Sequence, residues 1–143
     1  MKIGALGEVF PGENRVALTP ESAVALGKLG HACVIQAGAG AKAGFSDAAY
    51  AKAGLEVLPD AAAVVAAADV LVKVRGPEKA EAEALREGQT LISFFWPAQN
   101  PELLEIVKDR GATVVAMDMV PRISRAQKMD ALSSMANIAG YRA

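Results

Sequence analysis

The chain is poor in the side chains that build covalent cross-links and metal centres. Among its 143 residues it has one cysteine, Cys33, and one histidine, His31. A single cysteine excludes an internal disulfide and favours a reducing compartment. Cys33 lies in the apolar run Ala-Cys-Val-Ile, which indicates a core thiol. We therefore predict no metal site and, by default, a cytoplasmic location.

Excess charge and long apolar runs are also missing. The 15 basic and 16 acidic residues give a net charge of −1, without a long run of either sign. This balance argues against nucleic acid as a partner. Asp69, Lys73 and Arg75 interrupt the best apolar segment, so no run reaches the roughly 18 residues of a membrane span. With 52% hydrophobic residues, the sequence indicates one well-packed domain.

Six short apolar runs predict β-strands that are buried on both faces, as the strands of parallel sheets are. These runs are Lys2–Leu6, Ala32–Ala37, Leu55–Leu58, Val70–Val74, Thr90–Phe94 and Thr113–Met117. Helix-start residues lie between them: Thr19-Pro20, Ser46, Asp60, Pro77 and Asn100-Pro101. The alternation predicts an α/β fold, a three-layer sandwich with a mainly parallel sheet of flavodoxin-like or Rossmann-like type.

In such sheets ligands bind where the strands end, which makes two cations notable. Arg15 follows the first strand and Lys73 ends the fourth. Together they could bind a carboxylate or a phosphate. The alternative is that each pairs with a local acid such as Glu8 or Glu13, and position alone does not decide between the two.

A glycine-rich loop follows the second strand, at residues 38–44. Its spacing, G-x-G-x-x-x-G, differs from the G-x-G-x-x-G of dinucleotide-binding turns, and no acid ends a strand about 20 residues later. We interpret it as a tight structural turn. The sequence therefore lacks the fingerprint of a dinucleotide pyrophosphate site.

Aromatic residues are scarce, yet three of them are consecutive at the end of the fifth strand, in Phe94-Phe95-Trp96-Pro97. Phe94 is explained by core packing, whereas Trp96 beside Pro97 suggests a stiff wall of a cleft. No nucleophile and base are recognisable as a pair, so the sequence gives little support for catalysis by side chains alone.

The last twenty residues predict a helix with two unlike faces, beginning near Arg125 and still running at Ala143. One face is an apolar stripe, Met129, Leu132, Ala136 and Ala139; the other carries Gln127, Asp130, Ser133, Ser134 and Asn137. Amides, hydroxyls and one carboxylate suit a polar ligand. The alternative is a capping box in which Ser124 and Gln127 merely close the helix start. A helix without a stop signal suggests a piece of a longer protein.

Several motifs together resemble the N-terminal part of NAD(P) transhydrogenase alpha subunits, in the superfamily of alanine dehydrogenase and transhydrogenase N-terminal domains. They are Gly12-Glu-Asn-Arg-Val-Ala-Leu-Thr-Pro20, Lys73-Val74, Phe95-Trp-Pro-Ala-Gln-Asn-Pro-Glu-Leu103 and Ala116-Met-Asp-Met-Val-Pro-Arg-Ile-Ser-Arg-Ala-Gln127, the last leading into Asp130-Ala-Leu-Ser-Ser-Met-Ala-Asn-Ile-Ala-Gly-Tyr-Arg142. The resemblance covers essentially the whole chain.

The resemblance implies an NAD(H)-binding component built from two α/β lobes. Residues 1–124 would be the first lobe, and residues 125–143 would begin the helix that connects it to an absent Rossmann lobe carrying the glycine fingerprint. Arg122, Gln127, Asp130 and Ser133 match the residues that close over the nicotinamide end of the cofactor. Arg122 and Ser133 would hold the carboxamide, and Asp130 would orient Gln127 or Arg122.

The implied activity is hydride transfer between NADH and NADP⁺, coupled to proton movement through membrane components. Gln127 would reach towards the partner component that binds NADP(H). Gln127 and Asp130 are thus the implied catalytic residues. The resemblance also implies a homodimer of the complete subunit, located in the cytoplasm and attached to the inner membrane through partner subunits, and an inactive isolated fragment.

Two other functions remain open. In alanine dehydrogenases, which share the two-lobe architecture, residues matching Arg15 and Lys73 bind the substrate carboxylate and a histidine acts as acid and base. Trp96 stands at the position of that histidine here, and His31 lies at the start of a strand, which counts against amino-acid dehydrogenation. The chain could also be a docking module without catalytic function.

Overall fold

The computed structural model describes residues 1–142, and Ala143 lies outside the described residues. Its centre is one six-stranded, fully parallel sheet with the order β3-β2-β1-β4-β5-β6. The strands are β1 (Lys2–Ala5), β2 (Ala32–Gln36), β3 (Glu56–Leu58), β4 (Val70–Arg75), β5 (Thr90–Phe94) and β6 (Thr113–Ala116). All six predicted strands are confirmed, and this strand order is that of Rossmann-type sheets.

Six α-helices connect or follow the strands: α1 (Pro20–Lys28), α2 (Asp47–Lys52), α3 (Ala61–Ala67), α4 (Lys79–Glu83), α5 (Pro101–Asp109) and α6 (Ala131–Arg142). Short 3-10 helices cover Ala41–Ala43, Met117–Met119 and Ser124–Met129. Three predicted helix caps are confirmed, because the side chains of Thr19, Ser46 and Asp60 accept hydrogen bonds from backbone N–H groups in the first turn.

Two apolar clusters cover the opposite faces of the sheet, as period-two alternation along the strands requires. One contains Leu6, Val34 and Leu91 under α3, α4 and α5. The other contains Ile3 and Ile35, among others, under α1 and α2. The α/β fold class and the helix layers on both faces are therefore confirmed.

The second cluster covers only part of its face. Its partly buried members reach Val70 and Val72 on β4, and it includes no described residue of β5 or β6. Val115, on β6, is accordingly 42% exposed. The half of the sheet formed by β1–β3 is thus the more completely covered one.

Candidate functional site

The strand order places a topological switch point between β1 and β4, because the chain leaves these neighbours in opposite directions along the sheet. A cavity of about 470 Å³ opens at this point. The loop after β1, the end of β4 and the start of α5 line it. A ligand is therefore expected to bind at the carboxyl edge of the sheet.

Glu8 anchors the loop after β1 to the end of β4. Its carboxylate accepts hydrogen bonds from the backbone N–H groups of Val74, at 2.6 Å, and Arg75, at 3.2 Å. The pairing of β4 with β5 shifts register between Val72 and Arg75, and Glu8 binds the backbone of β4 in this irregular part of the strand. Glu8 is 8% exposed, so the carboxylate satisfies buried donors rather than offering itself to a ligand.

Glu13 binds two arginines at the same edge. It accepts from Arg15 Nε at 2.7 Å and Nη2 at 2.6 Å, and from Arg75 Nε at 2.9 Å. The hydrogen bonds with Arg15 are the largest cause that lowers the pKa of Glu13 from 4.5 to about 2, and the bond from Arg75 adds to them. The same pairing raises the pKa of Arg15.

Lys73 forms a buried ion pair with Glu81 on α4. The Nζ atom lies 2.7 and 3.0 Å from the two carboxylate oxygens, and the lysine side chain is 1% exposed. Both cations singled out in the sequence therefore have internal partners. For Arg15 the partner is the expected local acid, Glu13, whereas Lys73 pairs with Glu81 and not with Glu8 or Glu13.

Trp96 adopts a backbone conformation that is uncommon for a large side chain, with φ at +48°. The indole borders the cavity at the switch point and a second cavity of about 340 Å³. The guanidinium of Arg75 lies over two aromatic rings, 4.8 Å from the centroid of Phe10 and 5.6 Å from that of Trp96. The structure thus agrees with the prediction that Trp96 forms a wall of a cleft.

The segment 120–142, which we call the terminal segment, differs from its prediction. The prediction of a single helix beginning near Arg125 is wrong, and so is the alternative in which Ser124 and Gln127 form a capping box at its start. The residues from Ser124 to Met129 form a 3-10 helix whose start has no side-chain cap, and α6 begins only at Ala131.

Asp130 directly precedes α6 and caps its first turn. Its carboxylate accepts from the Leu132 N–H at 3.0 Å and from the Ser133 hydroxyl at 2.7 Å. The bond from Ser133 is the main cause that lowers the pKa of Asp130, and the nearby charge of Arg122 acts in the same direction. A short carboxylate in the N-cap position satisfies free N–H groups of the first turn, which explains why the helix begins here.

Three of the four implied cofactor-binding residues lie together. Arg122 and Asp130 line the 340 Å³ cavity with Arg15, Arg75 and Trp96. Ser133 joins them through its hydrogen bond to Asp130. Gln127 is exposed on the 3-10 helix and does not line this cavity.

The apolar stripe of the terminal segment does not pack against the rest of the chain. Met129 and Leu132 are 56% and 55% exposed, and no described residue of α6 is buried. A contact of 4.0 Å joins Met135 Sδ to Nη1 of Arg15. The helix therefore presents both its polar and its apolar side chains at the surface.

The glycine-rich loop is a structural turn, as expected. The N–H of Gly38 donates to the carboxylate of Asp47, and a Cβ at Gly40 would lie 2.5 Å from the Tyr50 ring. Across the described residues, no group of three or more His, Cys, Asp or Glu side chains has metal-binding geometry. No helix within residues 1–142 is both long and apolar enough to cross a membrane.

Residues 4–139 match the sequence model of a family described as "Alanine dehydrogenase/PNT, N-terminal domain". The chain belongs to this family. It is 78% identical to the NAD(P) transhydrogenase subunit alpha of Cereibacter sphaeroides, over all of its own residues and 27% of that relative. The resemblance inferred from the sequence motifs is thereby confirmed.

Two solved structures of this family are similar to the chain. Transhydrogenase from Sinorhizobium meliloti superposes with a TM-score of 0.92 at 41% identity, over 100% of this chain and 42% of that one. An L-alanine dehydrogenase superposes with a TM-score of 0.81 at 34% identity, over 87% of this chain and 34% of that one. The chain therefore spans less than half the length of the family members it matches.

Proposed function

We propose that the chain is the first lobe of the NAD(H)-binding component of an NAD(P) transhydrogenase and supplies one wall of its hydride-transfer site. The observation that carries the proposal is the cavity where Arg122 and Asp130 meet, in a chain 78% identical to a transhydrogenase subunit alpha. Residues 1–124 form this lobe, and residues 125–143 begin the connection to a second lobe.

The residues of the cavity fit the nicotinamide end of NAD(H). A planar amide needs hydrogen-bond donors and acceptors beside an apolar wall. Arg122 donates through its guanidinium, Ser133 and Asp130 offer a hydroxyl and a carboxylate, and Trp96 and Leu132 supply apolar surface. Arg122 and Ser133 would hold the carboxamide, and Asp130 would fix the Ser133 hydroxyl.

The pyrophosphate is assigned to the second lobe. The turn after β1 lacks the glycine fingerprint, and the carboxylates of Glu8 and Glu13 occupy the edge where such a turn would bind phosphate. The backbone and guanidinium donors at that edge are already engaged by these carboxylates, which leaves fewer donors for a phosphate. A two-lobed component, with one lobe for each end of the cofactor, accounts for both observations.

The proposed reaction needs no nucleophile in this lobe. The bound nicotinamide supplies the hydride, and the protein supplies orientation and exclusion of water. Asp130 and Arg122 orient the nicotinamide, and Trp96 excludes water. Gln127, exposed on the 3-10 helix, reaches towards a partner component that holds NADP(H).

The assembly is part of the proposal. The second lobe, an NADP(H)-binding component and membrane components that move protons complete the enzyme, and two complete subunits associate as a homodimer. The lobe itself lies in the cytoplasm, peripheral to the inner membrane. Membrane attachment is assigned to the partners, in keeping with the absence of a spanning helix among residues 1–142.

A titration with NADH tests the division between the lobes. Residues 1–143 and the same chain extended through its next domain are compared by fluorescence or calorimetry. Binding by the extended chain alone supports a half-site in this lobe. Tight binding by residues 1–143 would overturn the division and return attention to the loop at residues 38–44.

Substitution of Gln127 tests its role in the complete enzyme. In Gln127→Asn the side chain is one methylene shorter, so hydride transfer is expected to slow by about tenfold or more, with little change in NADH affinity. The control is Ser124→Ala, on the same 3-10 helix. Loss of NADH affinity with a normal transfer rate would contradict the assigned role.

Amino-acid dehydrogenation is the weaker alternative. It needs free cations for a carboxylate, whereas Arg15 is bound to Glu13 and Lys73 to Glu81. The extended chain, supplied with alanine and NAD⁺, is therefore expected to produce no NADH. Turnover of alanine would favour the alternative over transhydrogenation.

A further inference from the structure

The backbone at Trp96 needs an external support. A non-glycine residue with positive φ is strained and persists only where its surroundings hold it. Trp96 has this conformation at φ +48°, directly after β5. A bulky indole does not favour this conformation by itself, so contacts with neighbouring residues must stabilise it.

Asp118 supplies the main contacts. Its carboxylate accepts hydrogen bonds from the N–H of Phe95, at 2.6 Å, and from the N–H of Trp96, at 3.1 Å. Asn100 completes the arrangement from the other side, because its Nδ2 donates to the carbonyl oxygens of the same two residues at 2.9 and 3.1 Å. Four hydrogen bonds therefore fix three consecutive peptide units, from residue 94 to residue 97.

The indole that is held in this way separates two cavities. Trp96 and Arg75 are the only described residues that line both the switch-point cavity and the cavity of Arg122 and Asp130. The ring is further supported by Phe94, whose centroid lies 5.9 Å away. A change in the backbone at residue 96 would move this wall.

Asp118 also lies just before the terminal segment in the chain. It lies in the 3-10 helix Met117–Met119, and Arg122 follows a few residues later. One carboxylate thus ties the wall of the cavity to the segment that carries its polar residues. Asp118 and Trp96 both line that cavity.

We propose that Asp118 is a positioning residue that holds Trp96 as the wall between the two cavities and sets its distance from the terminal segment. The inference rests on the proposed function for its catalytic consequence only. Asp118 acts through Trp96, because both oxygens of its carboxylate accept from backbone N–H groups.

The first test uses the tryptophan itself, since Trp96 is the single tryptophan of the chain. Asp118→Asn replaces one acceptor oxygen by a donor group and leaves an N–H unpaired. Acrylamide quenching of Trp96 fluorescence is expected to rise about twofold, with an unchanged far-ultraviolet circular dichroism spectrum. The matched control is Asp109→Asn, at the exposed end of α5. This variant is expected to show the same quenching as the wild type.

Wild-type quenching in folded Asp118→Asn would overturn the inference. If that variant does not fold, Asp118→Glu takes its place, because it keeps the charge but moves the oxygens by one methylene. It is expected to fold and to show increased quenching. Quenching equal to that of the wild type in Asp118→Glu would then refute the role of Asp118.

The second test uses the complete transhydrogenase assembly containing this chain. Asp118→Asn is expected to lower kcat for transfer from NADH about tenfold and to change the KM for NADH less than threefold, because misplacement affects orientation more than binding. A purely structural defect would reduce the amount of active enzyme and leave its KM and its transfer rate per folded site unchanged.

The two failures are distinguishable. A wild-type assembly without hydride transfer would refute the proposed function, and the quenching result would still decide the position of Trp96. An active wild type with unchanged kcat and KM in Asp118→Asn would refute the catalytic consequence of Asp118 alone.

Discussion

Two regions of the molecule differ in how their carboxylates form hydrogen bonds. They are the body, residues 1–119, and the terminal segment, residues 120–142. In the body, the carboxylates of Glu8 and Asp118 bind backbone N–H groups more than 20 positions away along the chain. In the terminal segment, Asp130 binds its own neighbours, Leu132 and Ser133. The sheet edge is thus fixed by long-range contacts, whereas the terminal segment organises itself locally.

Burial follows the same division. Helices α1 to α5 each bury at least one side chain against the sheet, whereas none of the described residues of α6 is buried. Ala126 is the one residue of the described terminal segment that is buried. Few buried contacts therefore hold this segment to the body, so we expect it to open locally more readily than the body does.

The largest expected effect comes from breaking the ion pair of Lys73 in the body. Lys73→Met leaves the Glu81 carboxylate without its partner in a site that is nearly closed to water, and should lower the free energy of unfolding by about 3 kcal/mol. Urea denaturation measures this change. The double variant with Glu81→Gln should recover part of the loss; equal stability of Lys73→Met and the wild type would contradict the assignment.

The next effect depends on pH. Because the folded pKa of Glu13 is lowered to about 2, its stabilising contribution is complete above the unfolded value of 4.5 and disappears as the pH falls towards 2. We expect a loss of roughly 2 kcal/mol, allowing for the partly exposed arginines. Thermal unfolding between pH 6 and pH 2 measures it, and Glu13→Gln should show a flatter profile.

A smaller effect is expected at Tyr50, whose hydroxyl donates to the carbonyl oxygen of Leu18 at 2.9 Å inside the core. Tyr50→Phe leaves that oxygen unpaired and should cost about 1 kcal/mol. The melting temperature should fall by about 3 °C for a chain of this size. A rise in stability would mean that the hydrogen bond stabilises the fold by less than the burial of the polar hydroxyl destabilises it.

The smallest effect should be found in the terminal segment. Leu132→Ser removes an exposed apolar side chain, so the free energy of unfolding should change by less than about 0.5 kcal/mol. Chemical denaturation of the 143-residue chain provides the measurement. A loss as large as that of Lys73→Met would show that α6 is packed as firmly as the body, and would remove the contrast between the two regions.

The fold was predictable because its signals are local. Apolar runs separated by turn residues defined the strands, and Thr19, Ser46 and Asp60 cap helices as their positions suggested. Asn100 shows the limit of such reasoning. It precedes α5 as predicted, but its side chain supports Phe95 and Trp96 instead of capping the helix.

The site was only partly predictable, because its decisive contacts are distant in sequence. Asp118 reaches backbone groups 22 and 23 positions away, which no spacing rule indicates. Ser124 is the helix start that the sequence pattern indicates, whereas α6 begins after Asp130. The carboxylate prevails because it accepts from both a backbone N–H and the Ser133 hydroxyl.

The carboxylates of Glu8 and Glu13 carry a consequence for protein engineering. The chain has the strand order of a nucleotide-binding sheet, yet its own acids already occupy the donors at the switch point. Replacing the loop after β1 by a glycine-rich turn would remove Glu8, so the N–H groups of Val74 and Arg75 would lose their acceptor, and any bound phosphate would still compete with Glu13 for the two arginines. A redesign would therefore have to provide new partners for the β4 backbone and for Arg15 and Arg75.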